Sequence, residues 1–212
     1  MFPKIILNCA ASADGKIALP NRKKIALSSN IDFKRVDKLR KKCDAILVGI
    51  GTIIEDNPSL TIKEKEQQTQ NPIRIVLDTQ FRTPKNAQVL DNKSKTIIAI
   101  GQNTKINKVQ NAEIIRCGDE EIDLPRLLSK LKEKGIKTLL VEGGETVMWS
   151  FLKNSLFDEF YIFISNIIVG GKHTPTIAGG EGNTDLNTIL KLQLQSVDKV
   201  NNGVLIKYVP AK

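Results

Sequence analysis

Apolar residues come in short bunches along this chain, at 5–8, 45–48, 73–77, 96–100, 113–116, 138–141, 160–165 and 204–209, each bounded by polar or glycine-containing stretches. Short apolar runs between turn formers read as strands. Between several of them the period becomes helical. Ser29 stands three residues ahead of Asp32, a capping-box variant, and Phe33, Val36 and Leu39 then form an apolar stripe on an otherwise basic, surface-lying helix to Lys42. Asp123 caps a second helix with Pro125 in its first turn, Leu124, Leu127, Leu128 and Leu131 along one face, and Gly135 as its stop. A third begins near Thr146 and carries Val147, Met148, Trp149, Phe151 and Leu152 to Lys153, an apolar content that predicts burial. Strands alternating with helices predict an α/β fold with a mostly parallel sheet and helices on both faces. The last two apolar runs are joined by a long loop and a polar segment without helical pattern, which predicts an antiparallel final edge and so a mixed sheet. Loops are expected at 56–70 and 170–185, and with no repeat or linker a single domain over residues 1–212 is expected.

A hydrophobic share of 41% in 212 residues can build a core without disulfides or metal. The apolar runs fall far short of the roughly 20 residues that cross a bilayer, so a soluble protein is expected. Met1-Phe2-Pro3-Lys4 leads straight into strand-like sequence, with neither a charged leader nor a small-residue cleavage site, and a cytoplasmic location follows as an expectation. Cys9, Cys43 and Cys117 are odd in number and far apart, the usage of reduced, buried thiols. With His173 the only histidine and no Cys-x-x-Cys pair, the usual ligands of a structural zinc or a zinc deaminase are missing, and no metal is expected. The net charge of +9 favours anionic partners, among them phosphorylated metabolites, dinucleotides and nucleic acid. Aromatic residues make up only 5% and no recognition motif is visible, which disfavours nucleic acid and keeps it as the alternative of a different class.

The sharpest chemical signal is Leu139-Leu140-Val141-Glu142-Gly143-Gly144-Glu145-Thr146, a strand ending in an acid, two glycines and then a helix. Glycines let the backbone approach a ligand, and the N–H groups opening a helix favour an anion; a tight strand-to-helix turn that binds nothing explains the same residues. A second run, from Asp44 through Gly49, Gly51 and Thr52, again leads a strand into glycines and is followed by Glu55-Asp56-Asn57-Pro58-Ser59-Leu60-Thr61. Two such strand ends predict a crevice at the carboxyl edge of the sheet, where one dinucleotide could span both; relief of crowding is the plainer account of the glycines. Ser12-Ala13-Asp14-Gly15-Lys16 places a turn and a lysine directly after the first strand, and Asp78 and Arg82 follow the 73–77 strand, where Arg82 or Lys85 is placed to meet a 2′-phosphate. His173 in the glycine-rich 170–182 segment is expected at the surface.

Taken in order, Asp14-Gly15-Lys16-Ile17-Ala18, Ile46-Leu47-Val48-Gly49-Ile50-Gly51-Thr52, Asp56-Asn57-Pro58-Ser59-Leu60-Thr61, Glu142-Gly143-Gly144 and Gly170-Gly171-x-x-x-Pro175-Thr176 closely resemble the reductase family of riboflavin biosynthesis. The likeness covers nearly the whole chain, both to the stand-alone archaeal and fungal form and to the C-terminal half of the bifunctional bacterial deaminase-reductase. It implies a dihydrofolate-reductase-like fold, a homodimer, and NADPH-dependent reduction of the ribosyl side chain of a phosphorylated diaminopyrimidine to a ribitylamino product. By this resemblance Thr52, Asp56, Gly143, Gly144 and Thr146 hold NADPH; Asp78 and Arg82, from their place after the 73–77 strand, and Glu145, next to the cradle, are further cofactor candidates. Lys16, Ser28, Arg40, Leu60, Lys63 and Glu142 line the substrate pocket, basic residues there suiting a sugar phosphate. Lys16 and Glu142 are the implied proton handlers, and Asp56 the implied holder of sugar hydroxyls. Two departures stand out: Glu145 occupies a place where a third glycine is common, so its side chain is expected to point away from the cradle, and Lys63 replaces a common arginine. A pterin or folate reductase on the same fold is the nearest rival.

Overall fold

The computed structural model describes residues 1–63, 70–106 and 109–211, so residues 64–69 of the expected polar surface loop lie outside the described residues. In chain order the elements are β1 (Lys4–Ala11), α1 (Asn30–Lys41), β2 (Ala45–Gly49), α2 (Ile50–Asp56), β3 (Ile73–Leu77), β4 (Thr96–Ile100), β5 (Glu113–Arg116), α3 (Leu124–Glu133), β6 (Thr138–Val141), α4 (Glu145–Lys153), β7 (Glu159–Ile164), β8 (Leu192–Val200) and β9 (Gly203–Pro210). The chain is an α/β protein whose strand pairs are mostly parallel, and it groups into two compact units. One comprises Met1–Lys4 and Val36–Leu140, the other Ile5–Arg35 and Val141–Lys212. No helix among the described residues is long and apolar enough to cross a membrane.

In the first unit the strand order is β5-β4-β3-β2-β6. The pairs β2/β3, β3/β4 and β4/β5 are parallel, with Leu47 opposite Ile75 and Ile75 opposite Ile97. Strands of a parallel sheet are covered on both faces, so their residues are continuously apolar. Accordingly Ile46, Leu47, Ile75, Val76, Ile98 and Ile100 are all buried to 1% exposure or less. Each such side chain contributes roughly 1.5–3 kcal/mol over its exposed state. α3 forms where its leucines recur at helical spacing, and Leu124, Leu127, Leu128 and Leu131 are all buried. The Asp123 carboxylate accepts the Arg126 N–H at 2.9 Å, satisfying one of the amides that a helix start leaves unpaired. Past its end Gly135 takes φ +86, the left-handed turn that a residue without Cβ makes without strain.

In the second unit β1 runs parallel to β7, pairing Leu7 with Phe160. β9 is antiparallel to β7, and β8 antiparallel to β9. The antiparallel final edge and the mixed sheet are therefore as the pattern predicts. α4 buries Val147, Met148, Phe151 and Leu152.

Three local expectations need correction. The sequence after β2 reads as a strand end relieved by Gly49 and Gly51, but it is the helix α2, with Thr52 inside it and Asp56 as its last residue. The polar segment before β9 is the strand β8, which breaks register between Leu194 and Ser196 and leaves most of its side chains exposed. On α1 the apolar stripe is not the buried face. Phe33 is 43% exposed, whereas Asp32 and Asp37 are buried, because Asp32 accepts Arg35 Nε at 2.7 Å and Asp37 accepts the Lys63 N–H at 2.9 Å. The Ser29 hydroxyl does accept the Asp32 N–H, at 3.2 Å, as the capping pattern requires.

Candidate functional site

Residues singled out in the sequence fall into both units. In the first, α2 ends at Asp56, an exposed residue, and Asn57 closes the helix with φ +41 while its N–H bonds the Ile53 carbonyl. The following turn is held at each step. Asn57 accepts the Gln88 N–H on its side chain and Gln88 Nε2 on its carbonyl, both at 2.8 Å. The Thr61 carbonyl accepts Arg40 Nη1 at 2.9 Å, and the Ile62 N–H bonds Asn71 Oδ1 at 3.1 Å. Leu60 sits within this frame in the left-handed region at φ +49, its side chain buried to 3%. A bulky residue keeps such a conformation only where its surroundings over-determine it, so the backbone of this turn is preset. Thr52 is half-buried on α2, Arg40 half-buried on α1, and Lys63 exposed.

After β3 the Asp78 carboxylate is fully buried. It accepts the N–H groups of Arg82 and Thr83 at 2.9 and 2.7 Å and the Thr83 hydroxyl at 2.7 Å. Those bonds commit Asp78 to shaping the turn through Phe81, which takes φ +57, and they leave the Arg82 side chain exposed at its tip.

In the second unit the turn after β1 is wound on Ser12. This buried residue accepts the Lys16 N–H on its hydroxyl at 2.8 Å, donates its own N–H to the Lys16 carbonyl at 2.8 Å, and donates its hydroxyl to Asp14 Oδ1 at 2.6 Å. Gly15 completes the turn at φ +77. Asp14 also accepts the N–H groups of Val169 and Gly170 at 3.1 and 2.7 Å. The Ser12 hydroxyl first, then these amides, hold its carboxyl down at about 2. Lys16 forms an isolated antiparallel bridge with Thr176, and the Ile17 N–H bonds the Pro175 carbonyl at 3.0 Å. The Asp14-Gly15-Lys16 turn and the glycine-rich loop of 170–176 are thereby one framework, with Lys16 half-buried in it and His173 at its surface. Ser28 is half-buried farther along the same stretch.

The other corner follows β6. Glu142 is half-buried, Gly143 takes φ +98 and is joined to Gly144 by a cis peptide bond, and α4 begins at Glu145. A Cβ placed on Gly143 would meet only Met148 Cγ, in ordinary contact at 3.9 Å, so it is the left-handed backbone rather than crowding that favours glycine here. The opening turn of α4 has no side-chain cap, and Thr146 is exposed on it. Backbone amides of this kind suit an anionic ligand. The Glu145 carboxylate does not turn over them: Oε1 accepts Arg22 Nη2 at 3.0 Å and Oε2 the Thr176 N–H at 3.1 Å.

Thiol nucleophiles are not on offer. Burial pushes the Cys9 thiol up to about 12 against the opposing influence of Arg35, and burial also raises Cys117. Cys43 and Cys117 are buried, Cys9 is half-buried, and none is in a disulfide. Sequence reasoning named the strand-end residues, Ser12 among them, and missed what lies between them, namely Asn71, Gln88 and Arg22. Ser12 had a local signal, as a hydroxyl preceding an Asp-Gly turn; the other three had none.

A family model described as the RibD C-terminal domain matches residues 3–206. A protein of Archaeoglobus fulgidus named 2,5-diamino-6-ribosylamino-4(3H)-pyrimidinone 5′-phosphate reductase is 34% identical over 97% of this chain and 97% of its own. Its counterpart of the same name from Methanothermobacter thermautotrophicus is 35% identical over 98% of each. Among solved structures, the diaminohydroxyphosphoribosylaminopyrimidine deaminase/5-amino-6-(5-phosphoribosylamino)uracil reductase of Thermotoga maritima superposes with a TM-score of 0.82 at 26% identity. That structure covers 99% of this chain, which spans 57% of the Thermotoga protein's length.

Proposed function

The chain belongs to the RibD C-terminal domain family, and from that premise we propose that it reduces the ribosyl side chain of 2,5-diamino-6-ribosylamino-4(3H)-pyrimidinone 5′-phosphate with NADPH. That it is a reductase of riboflavin biosynthesis follows from relatives of that name at 34–36% identity along nearly its full length. The choice of NADPH, the residues that act and the assembly of the protein are our reading. The observation that carries it is the Glu142-Gly143-Gly144 corner, with Gly143 in the left-handed region directly ahead of the uncapped start of α4.

In the second unit, the backbone of Gly143, Gly144 and Thr146 would hold the cofactor through its phosphates, the helix start favouring their charge. When bound, the nicotinamide supplies a hydride. The residues of the chain do the rest by alignment and proton supply, since no protein nucleophile is required. Reduction of the open imine form of the ribosylamine turns its C=N bond into C–N, with the hydride going to carbon and a proton to nitrogen. Lys16 Nζ and the Glu142 carboxyl are assigned to that proton, and Arg40 and Lys63 to the sugar phosphate.

The second unit also supports a homodimer. β8 is an edge strand carrying exposed Leu194 (53%) and Val197 (57%), with Leu186 and Ile189 exposed just before it. Edges of this kind invite pairing with another chain. A cytoplasmic location completes the reading.

Adding the diaminopyrimidine ribosyl phosphate to the protein with NADPH should give stoichiometric loss of reduced cofactor and a product heavier by two hydrogens. Absent turnover of that compound, together with turnover of dihydrofolate, would assign the chain to the rival reductase. Lys16→Met and Glu142→Gln variants that both keep near-normal turnover would remove the proposed proton handlers.

A further inference from the structure

We propose that Glu145 is a positioning residue for Lys16, acting through Thr176. The proposal rests on the reading above in that Lys16 matters only if the chain is a reductase, and it concerns the second unit alone. Three contacts bind Glu145 to the glycine-rich loop. Its Oε2 accepts the Thr176 N–H at 3.1 Å, its carbonyl accepts the Gly179 N–H at 3.3 Å, and its carboxylate lies where a Cβ on Gly179 would come within 2.4 Å. Thr176 is the bridge partner of Lys16, and Pro175 takes the N–H of Ile17. The acid is therefore one residue removed from the lysine across a backbone ladder, although 129 positions (145 minus 16) separate them in sequence.

The arrangement also resolves a conflict of charge. A carboxylate in the first turn of a helix is favoured by the helix dipole, but beside an anion-binding backbone it would repel the ligand. Here one oxygen is turned to Arg22 Nη2 at 3.0 Å and the other to a backbone amide. The charge is compensated and spent on loop geometry. Trp149, one turn farther along α4, secures the same loop, since a Cβ on Gly180, itself at φ +144, would come within 2.6 Å of its indole ring. Helix α4 thus holds residues 176–180 at two places, and Thr176, the first of them, is the bridge partner of Lys16. The Arg22 pair is the weaker part, because that arginine is 60% exposed and exposed ion pairs contribute little.

Three variants test this: Glu145→Ala, Glu145→Gln and Gly180→Ala. The alanine removes the acceptor of the Thr176 amide, and displacing a reacting group by about 1 Å costs on the order of 100-fold. We expect kcat to fall roughly 10- to 100-fold with KM for NADPH within about threefold. Hydrogen exchange at the Thr176 amide should quicken at least about tenfold. Glu145→Gln keeps an oxygen acceptor and should retain kcat within about threefold, while Gly180→Ala, which leaves Glu145 intact, should reproduce the kcat loss. The proposal is overturned if Glu145→Ala keeps normal kcat, if glutamine fails to rescue, or if the whole loss lies in KM for NADPH. Should the alanine variant not fold, the glutamine and Gly180 variants decide alone. Failure of the wild-type protein to turn over the substrate would instead sink the functional reading, and Thr176 exchange in Glu145→Ala would still report on the ladder.

Discussion

Two side chains of the chain do structural work that their charge makes expensive. Arg74 is wholly buried and gathers Asp91 Oδ1 at 2.8 Å and the carbonyls of Gln88, Asp91 and Ser94 at 3.1, 2.7 and 2.5 Å. A buried charge persists only when paired and hydrogen-bonded, and here one guanidinium ties together the segment that joins β3 to β4. Arg74→Met should cost about 1–3 kcal/mol, because the Asp91 and Ser94 carbonyls lose their guanidinium donor while Asp91 keeps the Lys93 N–H at 3.0 Å, which chemical denaturation will read as a lower midpoint. Asp14 is the opposite case, a surface carboxyl whose hydrogen bonds alone hold it near 2, below its ordinary 3.8. A depressed folded value means that the tie to Val169 and Gly170 is complete above the ordinary carboxylate range and lost as pH falls through about 2. Carboxyl-carbon NMR should place the Asp14 midpoint there; a midpoint near 4 would show that the loop is not held by this residue.

Among elements, those whose apolar pattern was long enough to show a period or a distinct run were legible. Apolar runs marked β1 to β7 and β9, and the leucine spacing of α3 with its Asp123 cap was read residue by residue. Asp123→Ala should therefore cost about 1 kcal/mol, seen as a shifted denaturation midpoint at unchanged slope. α2 escaped because it follows β2 without a break, opens on Gly49 with no side-chain cap and lasts only seven residues, too few for a period to show. β8 escaped because LQLQSVDKV has no face that the protein covers. α1 was placed correctly and turned wrongly, since the partners that draw in Asp32 and Asp37 are tertiary: Arg35, itself bonded to Asn8, and the backbone of Lys63. The candidate site divides the same way. Its contiguous pieces, such as Glu142-Gly143-Gly144, stood out in the sequence, whereas the Arg22–Glu145–Thr176 connection joins segments that nothing local relates.

For the whole molecule, the family model runs through both compact units, and association of copies is the property that the second unit most directly predicts. Replacing exposed Leu194 and Val197 together by lysine should convert a dimer to a monomer in sedimentation while leaving the helical circular dichroism unchanged; a dimer that survives would move the interface elsewhere. The order of strands in that unit has a consequence for biogenesis. β9 follows β8 in the chain, yet it lies between β7 and β8. On the ribosome, β7 must wait with a bare flank and β8 with no partner until residues 203–210 emerge. A chain stopped short of residue 203 is then left with an unclosed seam between β7 and β8 rather than merely shortened.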